Sequence, residues 1–149
     1  MKLANKGFTL VEVLLAGAIL AFCLCGLLLT YINMFILSDL ARDLTLATNA
    51  VQAKMEEIKK TSYAGLSAFN GVTFDIAGFA SSDAKGVVEV TDNLGYADLT
   101  RVRIVSSLKS RGRIIGEDQD LDGVLDFGED ANANGRLDSP IELVTLIAQ

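Results

Sequence analysis

Residues 8–38 read FTLVEVLLAGAILAFCLCGLLLTYINMFILS, and this stretch decides how the rest of the chain is organised. From Val13 to Ser38 it holds 26 residues without a charged side chain. A helix of that length spans about 39 Å, which exceeds the roughly 30 Å core of a bilayer. Lys2 and Lys6 precede the stretch, so we expect a single membrane pass with the N-terminus in the cytoplasm. A secretory signal peptide is the alternative, but its apolar region is normally only about 7 to 15 residues long.

The helix is predicted to continue through residues 39–62 as an amphipathic half. Apolar residues recur at steps of three or four, which is the spacing of one helix face. They are Met34, Leu37, Leu40, Leu44, Ala47, Val51, Met55 and Ile58. Pro140 is the only proline in the chain, so residues 8–60 can form one helix of about 80 Å. The stripe on its second half needs a sheet to cover it.

Four downstream segments are rich in β-branched residues and predict strands. They are Val72–Ile76, Val87–Val90, Leu99–Ser106 and Ile141–Ile147, with a predicted turn at Asp92–Gly95. Because no crossover helix remains to be assigned, an antiparallel sheet is favoured over a parallel one. The predicted fold class is α+β, with a long N-terminal helix that spans the membrane in its first half and packs on a small antiparallel sheet in a globular domain, residues 63–149.

Composition and charge exclude several functional classes. The 149 residues include no histidine, which removes imidazole general bases and His-containing catalytic triads. No convergent set of nucleophile, base and oxyanion donors replaces them, so we do not expect an enzyme. The chain has a net charge of −6, and residues 117–142 alone hold nine acidic residues against one basic residue. That segment suits a cation, and nucleic acid is not the expected partner.

The chemistry of the N-terminal segment centres on KGFTLVEVLL, residues 6–15. A carboxylate inside a membrane helix costs about 2.5 to 3.5 kcal/mol on insertion scales, so Glu12 needs a partner. Cleavage after Gly7 would create an α-amine on Phe8, and an ammonium group is a natural counter-charge for a carboxylate among apolar helices. Glu12 lies one helical turn from Phe8, so the pair can form within one chain or between neighbouring chains.

This segment resembles the N-terminus of type IV pilins and type II secretion pseudopilins. In that family a short basic leader ends in Gly and is followed by Phe-Thr-Leu-[Ile/Val]-Glu and a long apolar helix, and residues 7–12 match position by position. The resemblance implies that prepilin peptidase removes residues 1–7 between Gly7 and Phe8 and methylates the Phe8 amine. It also implies that Glu12 pairs with the methylated amine of an adjacent subunit as the subunit leaves the bilayer for a filament.

Two departures favour a minor pilin or pseudopilin over a main shaft subunit. The chain lacks the mid-helix proline and the C-terminal cysteine pair of major pilins. By resemblance, its partners are other pilins or pseudopilins, prepilin peptidase, an inner-membrane assembly platform and the lipid bilayer. Its expected location is the inner membrane, with the C-terminal domain periplasmic or extracellular, and then a pilus or pseudopilus.

Another motif lies near the C-terminus, where residues 118–129 read DQDLDGVLDFGE. This segment is called here the first loop. Oxygen-bearing side chains fall at positions 1, 3, 5, 9 and 12 with glycine at position 6, the spacing of a twelve-residue EF-hand calcium loop. The predicted ligands are Asp118, Asp120, Asp122, Asp126 and Glu129, with the carbonyl of Val124 at position 7. Without a cation these carboxylates would repel one another. An acidic, solvated turn without a specific ion is the alternative.

A poorer copy of this pattern follows over residues 130–141, called here the second loop. Its predicted ligands are Asp130, Asn132, Asn134, the carbonyl of Arg136, and Asp138. Two aspartates have become asparagines, and the twelfth position is Ile141, with Glu142 one residue late. We therefore expect one calcium ion in the first loop and a weaker second site, or a shared ligand, in the second. No helical pattern flanks either loop, so the prediction is a calcium-loop insertion, residues 118–142, in the last hairpin.

A basic stretch lies beside the acidic loops. It consists of Arg101, Arg103, Lys109, Arg111 and Arg113. Such a stretch is more often a solvated strand face than a DNA site, and we expect a solvated face here.

Two functional classes remain. The favoured class is a minor pilin or pseudopilin, a structural subunit of a filament that serves export, adhesion or DNA uptake. The alternative is a membrane-anchored calcium-binding adhesin module that never polymerises, and it predicts that the leader stays uncleaved at Gly7.

Overall fold

The computed structural model describes residues 7–92 and 98–149 and has an α+β architecture, as predicted. Its helices are α1 (Leu10–Lys59) and a 3₁₀ helix (Tyr63–Phe69). Its strands are β1 (Thr73–Asp75), β2 (Ala84–Thr91), β3 (Leu99–Ser110), β4 (Arg113–Ile115) and β5 (Ile141–Ala148). The chain divides into two compact units, Met1–Asp39 and Leu40–Gln149.

Helix α1 begins at an N-cap that the sequence supplies. The Thr9 hydroxyl accepts a hydrogen bond from the Glu12 backbone N–H at 3.3 Å, which satisfies one of the free donors at a helix start. At the other end, the N–H groups of Lys60 and Thr61 bond three residues back, in the tighter turn typical of a helix end. The prediction of one uninterrupted helix over residues 8–60 is confirmed to within two residues at each end.

In the first unit, α1 exposes its apolar side chains. Between Leu10 and Leu37, the exposed fractions of the large apolar residues run from 40% at Ile36 to 81% at Phe22. None of the most apolar stretch of the helix is buried. Within the described residues, α1 is the one helix long and apolar enough to cross a membrane.

In the second unit, α1 buries one face on the sheet. The buried side chains are Ala47, Val51, Met55 and Ile58, each at most 2% exposed. Leu44 is partly buried against the same core. The predicted stripe is therefore confirmed in this unit, whereas Met34 and Leu37, at its predicted start, lie in the first unit and are 64% exposed.

The sheet is antiparallel throughout, which confirms the predicted arrangement. Strand β1 pairs with β2, and β2 pairs with β3. Strands β4 and β5 pair with consecutive parts of β3, so residues 116–140 interrupt a single ladder along that edge. The acidic loops thus lie in the connection where an insertion was predicted.

Several element boundaries differ from the predictions. The first predicted strand shortens to Thr73–Asp75, while β2 begins at Ala84 and β3 runs on to Ser110. The 3₁₀ helix and β4 were not predicted as separate elements. Of the predicted turn, only Asp92 is among the described residues, and its carboxylate accepts a hydrogen bond from the Thr100 hydroxyl at 2.7 Å.

Side chains of β3 alternate between two packed faces. Val102, Ile104 and Leu108 belong to the main core with the buried face of α1. On the opposite face, Val105 packs with Val87 and with Leu137 of the second loop. The loop segment 116–140 therefore packs on the face of the sheet opposite α1. The first loop also lies close to β1, because a Cβ atom added to Gly123 would be 2.6 Å from the Thr73 side chain.

Candidate functional site

The N-terminal candidate site is exposed on the first turn of α1. Gly7, Phe8, Thr9 and Glu12 line a shallow recess of about 340 Å³. The Phe8 side chain is 83% exposed. Within the described residues, the Glu12 carboxylate forms no hydrogen bond or ion pair, and its backbone N–H donates to Thr9 at the start of the helix. The rest of the predicted leader, residues 1–6, lies outside the described residues.

The first half of the first loop is a tight turn built around its first aspartate. Asp118 is 2% exposed, and its carboxylate accepts the N–H of Asp122 at 3.2 Å and of Gly123 at 2.9 Å. Gly123 has φ +84°, a left-handed conformation that glycine adopts without strain. The Asp122 carboxylate in turn accepts the N–H of Val124 at 2.7 Å, while the Val124 side chain is 54% exposed.

Glu129 closes the first loop by joining its beginning to its end. One carboxylate oxygen accepts the N–H of Gln119 at 2.7 Å, and the other accepts the N–H of Asp126 at 3.0 Å. Glu129 is 6% exposed, so its charge is largely removed from water. The sequence placed this residue at the twelfth position, and the structure brings it back beside the first.

The predicted ligands of the first loop form two overlapping groups. In each group, one carboxylate oxygen per residue lies within 4.8 Å of the others. The groups are Asp118, Asp120 and Glu129, and Asp120, Asp122 and Asp126. Carboxylate oxygens at this spacing are the donors that Ca²⁺ takes in flexible oxygen cages, and a set without nitrogen or sulfur does not suit zinc. The donor chemistry therefore fits a hard divalent cation.

The second loop repeats the backbone of the first. Asp130 accepts the N–H of Asn134 at 2.9 Å and of Gly135 at 2.7 Å, as Asp118 does from the corresponding residues. Gly135 has φ +77°, close to the value at Gly123. Asn134 also accepts the N–H of Arg136 at 3.0 Å. The predicted tandem pattern is thus present as a repeated turn geometry.

The second loop differs from the first at its ninth position. One oxygen of Asp138 accepts the side-chain amide N–H groups of Asn132 and Asn134, both at 2.7 Å. Its other oxygen pairs with Arg103 at 2.8 Å. Ile141, at the twelfth position, begins β5 and offers no carboxylate. Asp138 is therefore satisfied by two asparagines of its own loop and by Arg103 of β3.

The buried Asp118 of the first loop and the half-buried Asp138 of the second loop differ in their electrostatics. Burial raises the pKa of Asp118, and the N–H groups of Gly123 and Leu121 only partly offset that effect. By contrast, hydrogen bonds from Asn132 and Asn134, together with the positive charge of Arg103, hold the pKa of Asp138 below its usual range. Asp118 thus lacks the compensation that Asp138 has.

Arg103 corrects the prediction of a solvated basic strand face. Its side chain is 3% exposed and pairs with Glu89, Asp138 and Glu142 at 2.8 to 2.9 Å. Burial alone would lower its pKa, but hydrogen bonds and charges from Glu142 and Glu89 outweigh burial and raise the pKa. Arg103 is buried because the second loop covers this face of the sheet, a long-range contact with no local sequence signal. Lys109, Arg111 and Arg113 are exposed, as expected.

Comparisons of the chain with protein-family models, with curated proteins and with solved structures found no match.

Proposed function

We propose that this chain is a minor pilin or pseudopilin, a structural subunit of a type IV pilus or type II secretion pseudopilus. In this proposal prepilin peptidase cleaves between Gly7 and Phe8, and the subunit assembles through Glu12 and the new Phe8 amine. Its partners are other pilins, the peptidase, an inner-membrane assembly platform and the bilayer. The C-terminal domain lies on the far side of the membrane, where calcium stabilises the loop segment.

The observation that best supports the proposal is the exposed apolar surface of α1 in the first unit. Its apolar side chains are exposed, and a contiguous apolar surface of this size is stable in lipid or against other helices. A single carboxylate, that of Glu12, interrupts this surface and forms no ion pair within the described residues. An amine created one turn earlier, on the same chain or a neighbouring one, would supply the missing positive charge.

The test of assembly compares Glu12→Ala with Glu56→Ala in cells that carry the assembly machinery. Glu56 is an exposed acidic residue in the second unit of α1, where it pairs with Lys59 at 3.3 Å. We expect both variants in the membrane fraction, while sheared filaments or cross-linked oligomers contain Glu56→Ala and lack Glu12→Ala. Recovery of Glu12→Ala in filaments at the wild-type level would contradict the proposal.

The calcium part of the proposal is supported by the donor set of the first loop. Asp118 and Glu129 are both buried, and together with Asp120 they bring three negative charges within 4.8 Å of one another. A divalent cation at this point would offset two of these three charges and tie Asp118 to Glu129 at the far end of the loop. Calorimetric titration of the full-length chain in a non-ionic detergent is expected to show binding heat with calcium. A titration without heat at millimolar calcium would remove this part of the proposal.

A second candidate function is a membrane-anchored calcium-binding adhesin module that does not polymerise. The exposed Phe127 and Val124 side chains on the first loop favour it, since exposed apolar groups on a loop are suited to partner contact. This alternative predicts the same calcium binding, an uncleaved leader, and no effect of Glu12→Ala on oligomer formation.

A further inference from the structure

The second loop is held by a cation that belongs to the protein itself. The Arg103 guanidinium donates to Asp138 and to the Leu137 carbonyl, both at 2.8 Å. It also donates to both carboxylate oxygens of Glu142, at 2.9 and 3.1 Å, and of Glu89, at 2.9 and 3.0 Å. The Arg103 side chain is 3% exposed, so it is an internal counter-charge rather than a surface ion pair.

The first loop has no counterpart to this arrangement. None of the ion pairs within residues 7–92 and 98–149 involves its two buried carboxylates, those of Asp118 and Glu129. Their hydrogen bonds come from backbone N–H groups, which carry no full charge. Two loops with the same turn geometry therefore differ in whether a positive charge is already in place.

The amide side chains reinforce the difference. In the second loop, Asn132 and Asn134 direct N–H donors at Asp138, so positions 3 and 5 stabilise position 9 without an ion. The corresponding positions of the first loop, Asp120 and Asp122, are carboxylates and can only accept when ionised. A calcium ion at the second loop would have to displace both amide donors and compete with Arg103 for Asp138.

Asp138 also connects the two loops. The Glu117 backbone N–H donates to the Asp138 carbonyl at 2.9 Å, and the Asp138 N–H donates to the Glu117 carboxylate at 3.0 Å. Glu117 directly precedes Asp118, the first predicted ligand. By holding Asp138 against the sheet, Arg103 also fixes the point at which the first loop begins.

We infer that Arg103 is a positioning residue that takes the place of a cation at the second loop, so that the chain binds a single calcium ion, in the first loop. This inference rests on the calcium site proposed above. It replaces the weaker second calcium site expected from the sequence with a loop that is folded in the absence of calcium and supports the neighbouring one.

The test is the stoichiometry of calcium binding by the full-length chain in a non-ionic detergent. The matched variants are Asp126→Asn and Asp138→Asn, which make the same change at the ninth position of each loop. We expect one calcium ion per wild-type chain, one per Asp138→Asn chain, and binding weakened roughly tenfold or more in Asp126→Asn. Two ions on the wild type, with one lost in Asp138→Asn, would overturn the inference and leave the calcium site of the first loop intact. No binding by the wild type would remove the calcium site itself and this inference with it.

Amide hydrogen exchange supplies a second readout, and its measurement on the wild-type chain does not depend on any variant folding. With calcium chelated, we expect slow exchange at Asn134, Gly135 and Arg136, and no further slowing when calcium is added. Gly123 and Asp126 are expected to exchange more slowly once calcium is bound. Fast exchange in the second loop that becomes slow only with calcium would overturn the inference. In Arg103→Gln, where the counter-charge is lost, the slow exchange at Gly135 is expected to disappear.

Discussion

Replacing Glu129 by glutamine separates the two roles of this residue in the first loop. The change keeps the shape of the side chain and removes its charge. In the calcium-free chain, Glu129 and Asp118 each place a carboxylate oxygen within 4.8 Å of the other. At an effective dielectric constant of about 20, two unit charges at that distance repel by about 3.5 kcal/mol. Glutamine relieves this repulsion.

The same change loses one of the two hydrogen bonds that Glu129 accepts. The N–H groups of Gln119 and Asp126 donate to its two oxygens, and glutamine retains only one acceptor. Hydrogen bonds to a charged group contribute about 1.5 to 3 kcal/mol, so this loss nearly offsets the relief of repulsion. We therefore expect the calcium-free variant to have a free energy of unfolding within about 2 kcal/mol of the wild-type value.

Calcium changes this balance, because the positive charge of the ion offsets the repulsion between the wild-type carboxylates. At a calcium concentration of about 100 times Kd, binding adds roughly 2.7 kcal/mol to the free energy of unfolding. For a chain of this size, that gain corresponds to a rise in Tm of roughly 5 to 10 °C. We expect this rise in the wild type and in the control Glu56→Gln, and its loss in Glu129→Gln.

The assay is thermal unfolding of the full-length chain in detergent, followed by circular dichroism, with calcium or with chelator. A calcium-dependent rise in Tm of the same size in Glu129→Gln would show that the twelfth position has no part in calcium binding. A large fall in the Tm of calcium-free Glu129→Gln would show that its hydrogen bonds outweigh the repulsion.

Three further predictions concern the second unit, Leu40–Gln149. Because the pKa of Asp118 is raised above its ordinary 3.8 and protons compete with calcium, affinity should begin to fall on acidification at a pH above 3.8, as calorimetry at several pH values would show. Without calcium, in chelator, the free energy of unfolding depends on pH in the opposite sense. Asp118 stabilises the fold at low pH, and this contribution is lost as the pH rises through the raised pKa of Asp118. Gly86→Ala should lower the free energy of unfolding by about 1 to 3 kcal/mol in denaturant titrations, because a Cβ there would overlap the Phe74 ring. Ile58→Ala should lower it by about 2 to 5 kcal/mol, since Ile58 is fully buried, and a cost below 1 kcal/mol would contradict the described core.

The parts of the fold that could be predicted depend on local periodicity. The stripe from Leu44 to Ile58 follows the helical repeat, so its burial could be expected without knowing what covers it. Strand centres were predicted for the same reason. Strand ends were not, because they depend on pairing: Ala84 begins β2 opposite Leu108, a residue of β3 that is distant in sequence.

In the candidate site, too, the features that depend on local sequence were predictable and those that depend on long-range contacts were not. The turn geometry of both loops depends on aspartate, asparagine and glycine at fixed local offsets, and the spacing predicted it. The difference between the loops depends on Arg103, which lies on a strand that precedes both of them. Its burial arises from the second loop folding back across the sheet, and no spacing in the sequence encodes that contact.

In the proposed assembly, a new amine on Phe8 provides the counter-charge for Glu12. Mass spectrometry of the intact chain purified from its native membrane tests it most directly. We expect residues 1–7 to be absent and the chain to begin at Phe8 with a methylated amine. Retention of residues 1–7 on every copy would leave Glu12 without its proposed partner and exclude this mode of assembly.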